Sequence, residues 1–396
     1  MPWPFTRRGH EDGAAVPNND ITASPETRFT FNLFHELARQ NPSANILFSP
    51  CSVMLCMAMV YDGARGETRS GMANALEFSG LDSAGVENAI ARLRLVLQAH
   101  EAGVQLLISN SLWCNQSIQV DPAYTTRAHE IYDAEVREID FAAADAAARI
   151  NAWVSEKTAG KIPHMIDTLD RLTLLVALNA IYFKGLWKQP FQRDWTRDRP
   201  FTTGSGKEKI LPRMLQRGRF RYFEQREFQA VVLPYQGSRI AMHVLLPARN
   251  FSLRKLHDSL SAARWEGWTK QQLALTKGSV HLPRFRMSYA AELRGALVNL
   301  GMERAFDQER AEFGGIRSEP PPVWIDKVLH RAVAEVNEEG TEAAAATMVG
   351  MPMRAMRPQR PEPEFEMIVD HPFLFLIRDE MSGSILFMGS VVDPDA

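Results

Sequence analysis

The stretch Leu172-Thr-Leu-Leu-Val-Ala-Leu-Asn-Ala-Ile-Tyr-Phe183 is almost continuously apolar and is interrupted by Thr173 and Asn179. It is shorter than the run of about 18 apolar residues that a membrane-spanning helix needs. An apolar run of this length without polar alternation is typical of a central strand covered on both faces. The sequence therefore predicts a sheet whose middle strand lies inside the protein.

Around this strand, most helical patterns come early in the chain and most strand patterns come late. Helices are predicted at Arg28–Gln40, Val53–Asp62, Val86–His100 and Ala290–Leu300. Further strands are predicted at Val104–Trp113, Ala230–Leu233, Ile240–Leu246 and Val280–Phe285, with a hairpin formed by Phe373–Ile377 and Ser384–Val392. Because helices and strands do not alternate regularly, the pattern favours an α+β fold over a doubly wound sheet.

The second helix is apolar at every position from Val53 to Val60, so it is expected to be buried on all sides. Ser49 or Ser52 can cap its N-terminus, and Pro50 suits its first turn. No linker or repeat divides the chain, so residues 25–394 are predicted to form one domain. Residues 1–24 are predicted to be a mobile tail, because they are rich in Asn, Asp, Pro and Gly.

Composition excludes several classes of function. The net charge of −2 argues against nucleic-acid binding, which depends on neutralising phosphates with Lys and Arg. The three cysteines, Cys51, Cys56 and Cys114, lack metal-binding spacing and are expected to be small buried hydrophobic residues. The N-terminus lacks the apolar core of a signal peptide, which places the protein in the cytoplasm unless a leader is missing from the sequence.

No catalytic or metal-binding constellation is present. Thr203-Gly-Ser-Gly-Lys207 lacks the first glycine of a phosphate loop, where Phe201 stands. The pairs His35-Glu36 and His129-Glu130 each lack the second histidine of a zinc-protease helix, and there is no G-x-S-x-G nucleophile turn. The protein is therefore not expected to be an enzyme or to hold a metal or cofactor.

A second informative stretch is Glu338-Glu-Gly-Thr-Glu-Ala-Ala-Ala-Ala-Thr-Met-Val-Gly-Met351, which runs into Pro352-Met-Arg-Ala-Met-Arg-Pro358. The first part is small and uncharged after Glu342, so it could join a sheet. The second part offers basic residues on a Pro-rich loop that a trypsin-like protease would cut. The four consecutive alanines also favour the N-terminus of an ordinary helix, and composition alone leaves both interpretations open.

The chain resembles the serpin family of protease inhibitors from about Ala23 to Pro394. The resemblance rests on motifs in the family's order: Asn45-x-x-x-Ser-Pro-x-Ser52, Gly63-Ala-x-Gly-x-Thr68, Ile150-Asn-x-Trp-Val154, Leu178-Asn-Ala-Ile-Tyr-Phe-Lys-Gly-x-Trp187, Leu282-Pro-Arg-Phe285, His330-Arg-Ala-x-x-Glu-Val-Asn-Glu-Glu-Gly-Thr341 and Asp370-His-Pro-Phe-Leu-Phe375. It implies one domain with three β-sheets, about nine helices and an exposed reactive-centre loop at about residues 338–364. It also implies a monomer and an extracellular location, in contrast to the missing signal peptide.

The resemblance assigns a hinge that inserts into the largest sheet after the loop is cut. The hinge residues are Glu338, Glu339, Gly340, Thr341, Glu342, Ala343, Ala344, Ala345, Ala346 and Thr347. Strand side chains alternate between faces, and the odd-numbered positions from Thr341 to Met351 are all small or apolar. Between Thr341 and Met351 the single charged residue is Glu342. It falls on the other face, which we expect to stay hydrated. An Arg or Lys on the first face would be buried without a partner, at a cost of several kcal/mol.

The family's spacing from hinge to cleavage site predicts Arg354–Ala355 as the reactive bond. An Arg side chain fits the specificity pocket of a trypsin-like protease, which has an Asp at its base. The return from Arg354 to His371 is longer than usual for the family and contains three prolines. Cleavage after Met351, Met353 or Arg357 therefore stays open, as does inhibition of a cysteine protease.

The resemblance also assigns a polar cluster of Ser49, Ser52, Asn179 and His330 beneath the point where the main sheet opens, and Trp187 at the top of that sheet. Capping and packing would by themselves explain the two serines, and core packing would explain Trp187. Asn179 is harder to explain in this way, because a buried amide inside an apolar strand needs hydrogen-bond partners.

The sequence thus predicts a suicide-substrate inhibitor that captures a trypsin-like serine protease as a covalent acyl complex. The alternative is a non-inhibitory serpin that acts as a binding or chaperone-like module. No heparin-type cofactor is expected, because the predicted helix Val86–His100 carries only Arg92 and Arg94 as basic residues. No nucleic acid or membrane partner is expected either.

Overall fold

The computed structural model describes residues 23–99, 101–270, 274–317, 322–341 and 364–395. Within these ranges it has nine α-helices: α1 (Pro25–Gln40), α2 (Pro50–Gly63), α3 (Gly66–Ala75), α4 (Ser83–Leu97), α5 (Pro122–Tyr132), α6 (Ala146–Lys157), α7 (Leu253–Ser259), α8 (Ala262–Lys270) and α9 (Arg294–Leu297). Three single turns of helix lie at Arg193–Trp195, Val298–Met302 and Glu303–Phe306.

The described residues also form fifteen strands, most of which follow the helices in the chain, as expected for an α+β fold. They are β1 (Ile46–Phe48), β2 (Val104–Asn115), β3 (Ala134–Ile139), β4 (Leu175–Leu186), β5 (Arg197–Thr202), β6 (Glu208–Glu224), β7 (Phe228–Pro234), β8 (Ile240–Pro247), β9 (Ala274–Pro283), β10 (Phe285–Glu292), β11 (Ile325–Val336), β12 (Gly340–Thr341), β13 (Phe365–Ile368), β14 (Phe373–Asp379) and β15 (Ile385–Val391).

The largest single sheet has six strands in the order β10-β11-β12-β4-β2-β3. Its central strand β4 pairs antiparallel with β2 and parallel with β11. This confirms the prediction of a central strand covered on both faces, since every residue of β4 from Leu175 to Phe183 is buried. The predicted start was wrong by three residues. The amide of Leu172 is held in a turn by Asp170, at 2.8 Å, and its side chain is 74% exposed.

The other nine strands form one hydrogen-bonded network that the long strand β6 divides into two sheets. Residues 208–213 of β6 pair with β5, residues 213–222 pair with β9, and residues 221–224 pair with β7. One sheet is therefore β5-β6-β9-β13 and the other runs from β7 through β8, β14 and β15 to β1. Together with the six-stranded sheet this gives the three sheets that we expected.

Helix α2 lies in the middle of the core and is buried on all sides from Val53 to Val60, as predicted. Ser49 is its N-terminal cap and accepts a hydrogen bond from the amide of Ser52 at 3.3 Å. Pro50 occupies the first helical position. The three cysteines are free and buried, also as predicted. Burial raises the pKa of the Cys56 thiol to about 12.

Two further predicted elements were wrong in their bounds. The helix expected at Ala290–Leu300 begins only at Arg294, because residues up to Glu292 pair with β11 as part of β10. Gly301 adopts a φ of 111° at the end of this segment, as its role in ending a helix predicts. The strand expected at Val280–Phe285 is two strands that meet at Arg284.

Candidate functional site at the top of the six-stranded sheet

After β11 the chain turns back on itself and enters the sheet again as β12. The pairing of β12 is antiparallel on both sides, with Thr341 opposite Val336 of β11 and with Gly340 and Thr341 opposite Leu186 and Gly185 of β4. Two residues of the predicted hinge, Gly340 and Thr341, therefore already lie between β11 and β4. We call this end of the sheet, where β4 reaches Leu186, its top.

Glycine is the only residue type that fits at position 340. A Cβ atom built on Gly340 would lie 2.0 Å from the carbonyl oxygen of Gly185 and 2.6 Å from the Cα of Leu186. Both are backbone atoms of β4, so any side chain would force the two strands apart. This close approach gives a physical reason for glycine at the start of β12.

The turn before Gly340 is held by Asn337 and Trp187. The Asn337 Oδ1 atom accepts hydrogen bonds from the amides of Glu339 and Gly340 at 3.1 and 3.2 Å. The indole of Trp187 donates to the Asn337 carbonyl at 2.9 Å, and the Trp187 amide donates to the Glu339 carbonyl at 2.8 Å. Trp187 also stacks on Tyr235 with ring centroids 4.6 Å apart. Its contacts thus combine core packing with direct binding to the hinge turn.

The first two glutamates of the hinge, Glu338 and Glu339, point into a basic environment beside the sheet. Glu338 is 5% exposed, and its Oε1 atom accepts from Arg284 and from the Thr196 hydroxyl, each at 2.7 Å. Burial by itself raises the pKa of Glu338, but these two donors outweigh it and the pKa lies below its ordinary value. Glu339 forms an ion pair with Arg193.

Thr341 shows which face of the sheet the hinge side chains enter. Its side chain is fully buried, and its hydroxyl lies 2.9 Å from the hydroxyl of Tyr235. This is the face that packs on the main core, where Phe183 also contacts Tyr235. Odd-numbered hinge residues therefore belong to the core face at the point where the described strand ends.

Below this point the sheet is closed. Strands β4 and β11 pair directly with each other from Leu175 opposite Ile325 to Phe183 opposite Ala334. No strand separates them along that length. The sheet therefore has not accepted an inserted strand beyond Thr341.

The predicted polar cluster lies in the middle of the closed part of the sheet. Asn179 on β4 is directly opposite His330 on β11 and Asn110 on β2. Its amide nitrogen lies 2.5 Å from both Ser52 Oγ and Asn110 Oδ1, and its Oδ1 atom lies 2.6 Å from His330 Nδ1. The cluster thus ties three strands and helix α2 together at one buried point.

His330 is neutral in this cluster. Its Nε2 atom accepts from the Ser49 amide at 3.4 Å, so the proton is on Nδ1 and is donated to Asn179. Burial lowers the pKa of His330 to about 3. Opening β4 from β11 would remove the hydrogen bond between Asn179 and His330, because these residues lie on opposite sides of the gap.

Four predicted residues therefore meet at one place: Ser49, Ser52, Asn179 and His330. Trp187 lies apart from them, at the top of the sheet. Sequence reasoning missed Asn110, whose polar side chain within the strand Val104–Asn115 was the available signal. It also missed Arg284, Thr196 and Tyr235. These three come from separate elements, and no local pattern links them to the hinge.

One expectation about the sheet needs correction. We expected the even-numbered hinge positions to face water, but the even-numbered residues of β4 from Val176 to Tyr182 pack with α6 in a second apolar layer. At the top of this face the half-buried Lys184 reaches solvent.

The remaining predicted site residues lie outside the described residues. These are the hinge positions Glu342, Ala343, Ala344, Ala345, Ala346 and Thr347, and the reactive bond Arg354–Ala355; most of the predicted tail, residues 1–22, also lies outside them. In the described parts of the chain, no cluster of three or more His, Cys, Asp or Glu side chains could hold a metal ion. No described helix is long and apolar enough to cross a membrane.

The polar cluster that joins Asn179 to His330 gives a testable pH dependence of stability. In the unfolded chain the pKa of a histidine is about 6.5, whereas burial lowers that of His330 to about 3. The unfolded state therefore takes up the proton first. The contribution of neutral His330 to stability is complete above about pH 6.5 and is lost toward pH 3, by up to about 1.4 kcal/mol per pH unit.

We therefore expect the free energy of unfolding, measured with urea, to fall less steeply between pH 6.5 and pH 4 in His330→Gln than in the wild type. Other buried histidines with lowered pKa values, His243 and His257, are present in both proteins and drop out of the difference. Parallel pH profiles would show that His330 does not titrate on unfolding.

Nearly the whole chain matches the model of one protein family. The family is described as Serpin (serine protease inhibitor), and the match covers residues 24–394. The chain belongs to the serpin family. The leukocyte elastase inhibitor of Sus scrofa is 37% identical over 383 residues, which cover 94% of this chain and 99% of that protein. An uncharacterized serpin-like protein of Thermococcus kodakarensis is 38% identical over 369 residues, covering 92% and 84%.

Solved serpin structures share the fold. The thermophilic serpin tengpin in its native state superposes with a TM-score of 0.86 at 24% identity, covering 97% of this chain and 96% of tengpin. Serpin48 of the insect Tenebrio molitor, described as highly specific, gives a TM-score of 0.82 at 28% identity, with coverage of 96% and 100%. The α+β architecture with three sheets is thus that of the serpins.

Proposed function

We propose that this serpin inhibits a trypsin-like serine protease by a covalent trap. The protease attacks the bond after Arg354, its serine forms an acyl bond to the Arg354 carbonyl, and Ala355 leaves with its new amino group. The hinge then inserts between β4 and β11 before water can release the acyl group. The observation that carries this proposal is β12, which has entered the top of a sheet that is closed below it.

The register of β12 extends along the whole of β4. Thr341 lies opposite Gly185, so in the same register Met351, ten residues later, reaches Leu175, the first residue of β4. The inserted segment would therefore match the length of its neighbour. Arg354 follows three residues after Met351, which leaves a short connection between the sheet and the acylated protease.

The same register supports a role for the polar cluster. Six residues after Thr341, Thr347 reaches the position opposite Asn179, which lies six residues before Gly185. In β11 the corresponding residue is His330, six residues before Val336. Insertion would thus place the Thr347 hydroxyl between Asn179 and His330 and replace the hydrogen bond that opening removes.

Hinge composition favours inhibition over the alternative of a non-inhibitory binding module. The odd-numbered positions Ala343, Ala345, Thr347, Val349 and Met351 follow buried Thr341 and carry no charge. In the proposed register Ala343 and Ala345 face Phe183 and Ile181, two residues of the main core. Small side chains can enter there without displacing the core, whereas charged ones would be buried without a partner.

The proposed specificity rests on Arg354. Leukocyte elastase inhibitors are among the relatives, and Met351 or Met353 would suit an elastase-like enzyme. Cleavage at Met351, however, would remove the connection that follows the inserted strand. We therefore place the cut at Arg354–Ala355.

The test is to mix the protein with trypsin and to look for an SDS-resistant band at the summed mass, with the cut site read by mass spectrometry. Arg354→Ala is expected to slow trypsin inhibition at least a thousandfold, because the specificity pocket loses its only charged ligand. Arg357→Ala is the matched control and should inhibit like the wild type. Clean cleavage of the wild type without a band would refute the trap, and undiminished inhibition by Arg354→Ala would refute the assigned bond.

A further inference from the structure

The segment from Arg193 to Arg221 carries a concentration of positive charge that inhibition by the loop does not explain. It has nine Lys or Arg and three Asp or Glu, a net charge of +6 in a chain whose total is −2. The segment forms the turn Arg193–Trp195, strand β5 and most of strand β6. The charge is therefore gathered on one edge of the sheet β5-β6-β9-β13.

Within this segment, Arg197, Arg199, Arg213 and Arg217 form what we call the arginine cluster. None of the four makes an ion pair with a carboxylate in the described parts of the chain, and Arg197, Arg199 and Arg217 are exposed. Arg197 lies directly opposite Arg213 across the strand pair. Like charges in this arrangement destabilise a sheet.

The electrostatic surroundings of Arg213 agree with this arrangement. Partial burial lowers the pKa of its guanidinium, and the charges of Arg199 and Arg249 lower it further, against the opposing effect of Asp370. Asp370 is itself paired with Arg249 at 2.6 Å. The cluster therefore holds more positive charge than the neighbouring acids neutralise.

An exposed aromatic side chain accompanies the cluster. Trp195 is 45% exposed, and its ring lies 5.8 Å from the guanidinium of Arg217. Tryptophan and arginine together are typical of protein–protein contact surfaces.

The cluster lies between the two ends of the reactive loop. On one side, Arg193 of the adjoining turn is paired with Glu339 of the hinge. On the other side, Arg217 is opposite Ser279 of β9, which is opposite Glu366 of β13, the strand to which the loop returns. Two strand spacings separate Arg217 from Glu366, about 10 Å. A protease that holds the loop would therefore stand over this part of the sheet.

We propose that the arginine cluster, with Trp195, is a second contact surface for the target protease, which it binds through acidic residues beside the protease's active-site cleft. This proposal rests on the proposed function. The loop supplies the cleaved bond, and the cluster raises the rate at which the correct protease finds it. Opposite charges at an interface act mainly on the association rate and on the choice of partner.

The test compares the anionic and cationic isoforms of trypsin, which both cleave after Arg and differ in surface charge. We expect the anionic isoform to associate with the wild type faster than the cationic isoform does. Its association rate constant should fall as the salt concentration rises from about 0.05 to about 0.5 M, because salt in this range screens exposed charges. The double variant Arg199→Glu/Arg217→Glu should slow the anionic isoform about tenfold at low salt. It should leave the cationic isoform unslowed, and the stoichiometry of inhibition should not change.

The matched control is Arg149→Glu/Arg171→Glu, which changes the net charge equally. Both residues are exposed, and Arg171 precedes β4 at the end of the sheet opposite the hinge. This control should alter the association rate constant of either trypsin isoform less than twofold. Equal loss with both isoforms, or no loss with the anionic one, would overturn the proposal.

A heparin oligosaccharide is the third arm of the experiment. If it accelerates both isoforms with the wild type but not with the cluster variant, the surface takes a polyanion and the protease proposal is overturned. If neither isoform forms an SDS-resistant complex with any of the proteins, it is the proposed function that fails, and this proposal falls with it.

Discussion

Cleavage of the loop between residues 352 and 358 is expected to raise the midpoint of thermal unfolding by about 20 °C. In the uncut protein β12 contributes two residues to the sheet, and β4 pairs directly with β11 below it. After cleavage, residues up to Met351 can continue β12 as a full strand between them. About a dozen additional ladder bonds, each contributing about 1 kcal/mol, would stabilise the cut form by on the order of ten kcal/mol.

This gain is comparable to the total stability of a domain, so the uncut protein would be held in its state by a kinetic barrier. The measurement is differential scanning calorimetry before and after limited digestion with a metalloprotease, which forms no acyl-enzyme. Mass spectrometry should verify that the cut lies between residues 352 and 358. An unchanged midpoint would show that the segment does not insert, and the protein would then be better described as a non-inhibitory binding module.

Ala343→Arg is expected to convert the protein from an inhibitor into a substrate. If the inserted strand keeps the register of β12, residue 343 would lie opposite Phe183 on the core face, two residues after the buried Thr341. An arginine there would be buried without a partner, so insertion slows and water releases the protease first. The number of inhibitor molecules consumed per protease molecule should rise about tenfold or more, as measured by titrating trypsin.

Glu342→Arg is the matched control, because it places the same side chain one residue earlier on the other face. In the proposed inserted strand that position would lie beside the half-buried Lys184 at the top of the sheet, where an arginine can remain hydrated at the expense of weak repulsion. Its stoichiometry should stay close to that of the wild type. Equal damage by both substitutions would mean that the faces of the hinge are not distinguished by burial, and the proposed register would be wrong.

Several features of the fold could be predicted because they depend on local pattern. The apolar part of α2, Val53–Val60, and the part of β4 from Leu175 to Phe183 are both buried on every side, as their composition requires. The bounds of elements were less predictable. Helix propensity predicts Ala290–Glu292 as the start of a helix, but pairing with β11 makes these residues the end of a strand. Tertiary hydrogen bonds outweigh the small intrinsic preference of an exposed residue for helix.

The candidate site divides in the same way. The sequence singled out Asn179 because an amide in an apolar strand needs partners, and it singled out His330 through the family's motif. It could not single out Arg284 or Thr196 as the partners of Glu338, because they lie 54 and 142 residues away in sequence. Such pairings arise only when the junction of β9 and β10 and the turn before β5 are folded against the hinge.

Residue types and their order along the chain are enough to assign the family, the buried central strand and the small, uncharged positions that alternate along the hinge from Thr341. The folded structure was needed to show how far the hinge enters the sheet, that Thr341 meets the core, and that Asn110 and His330 flank Asn179. These depend on the register between strands that are distant in the sequence. A shift of one residue in that register would reverse every side chain of the hinge, and no local pattern fixes it.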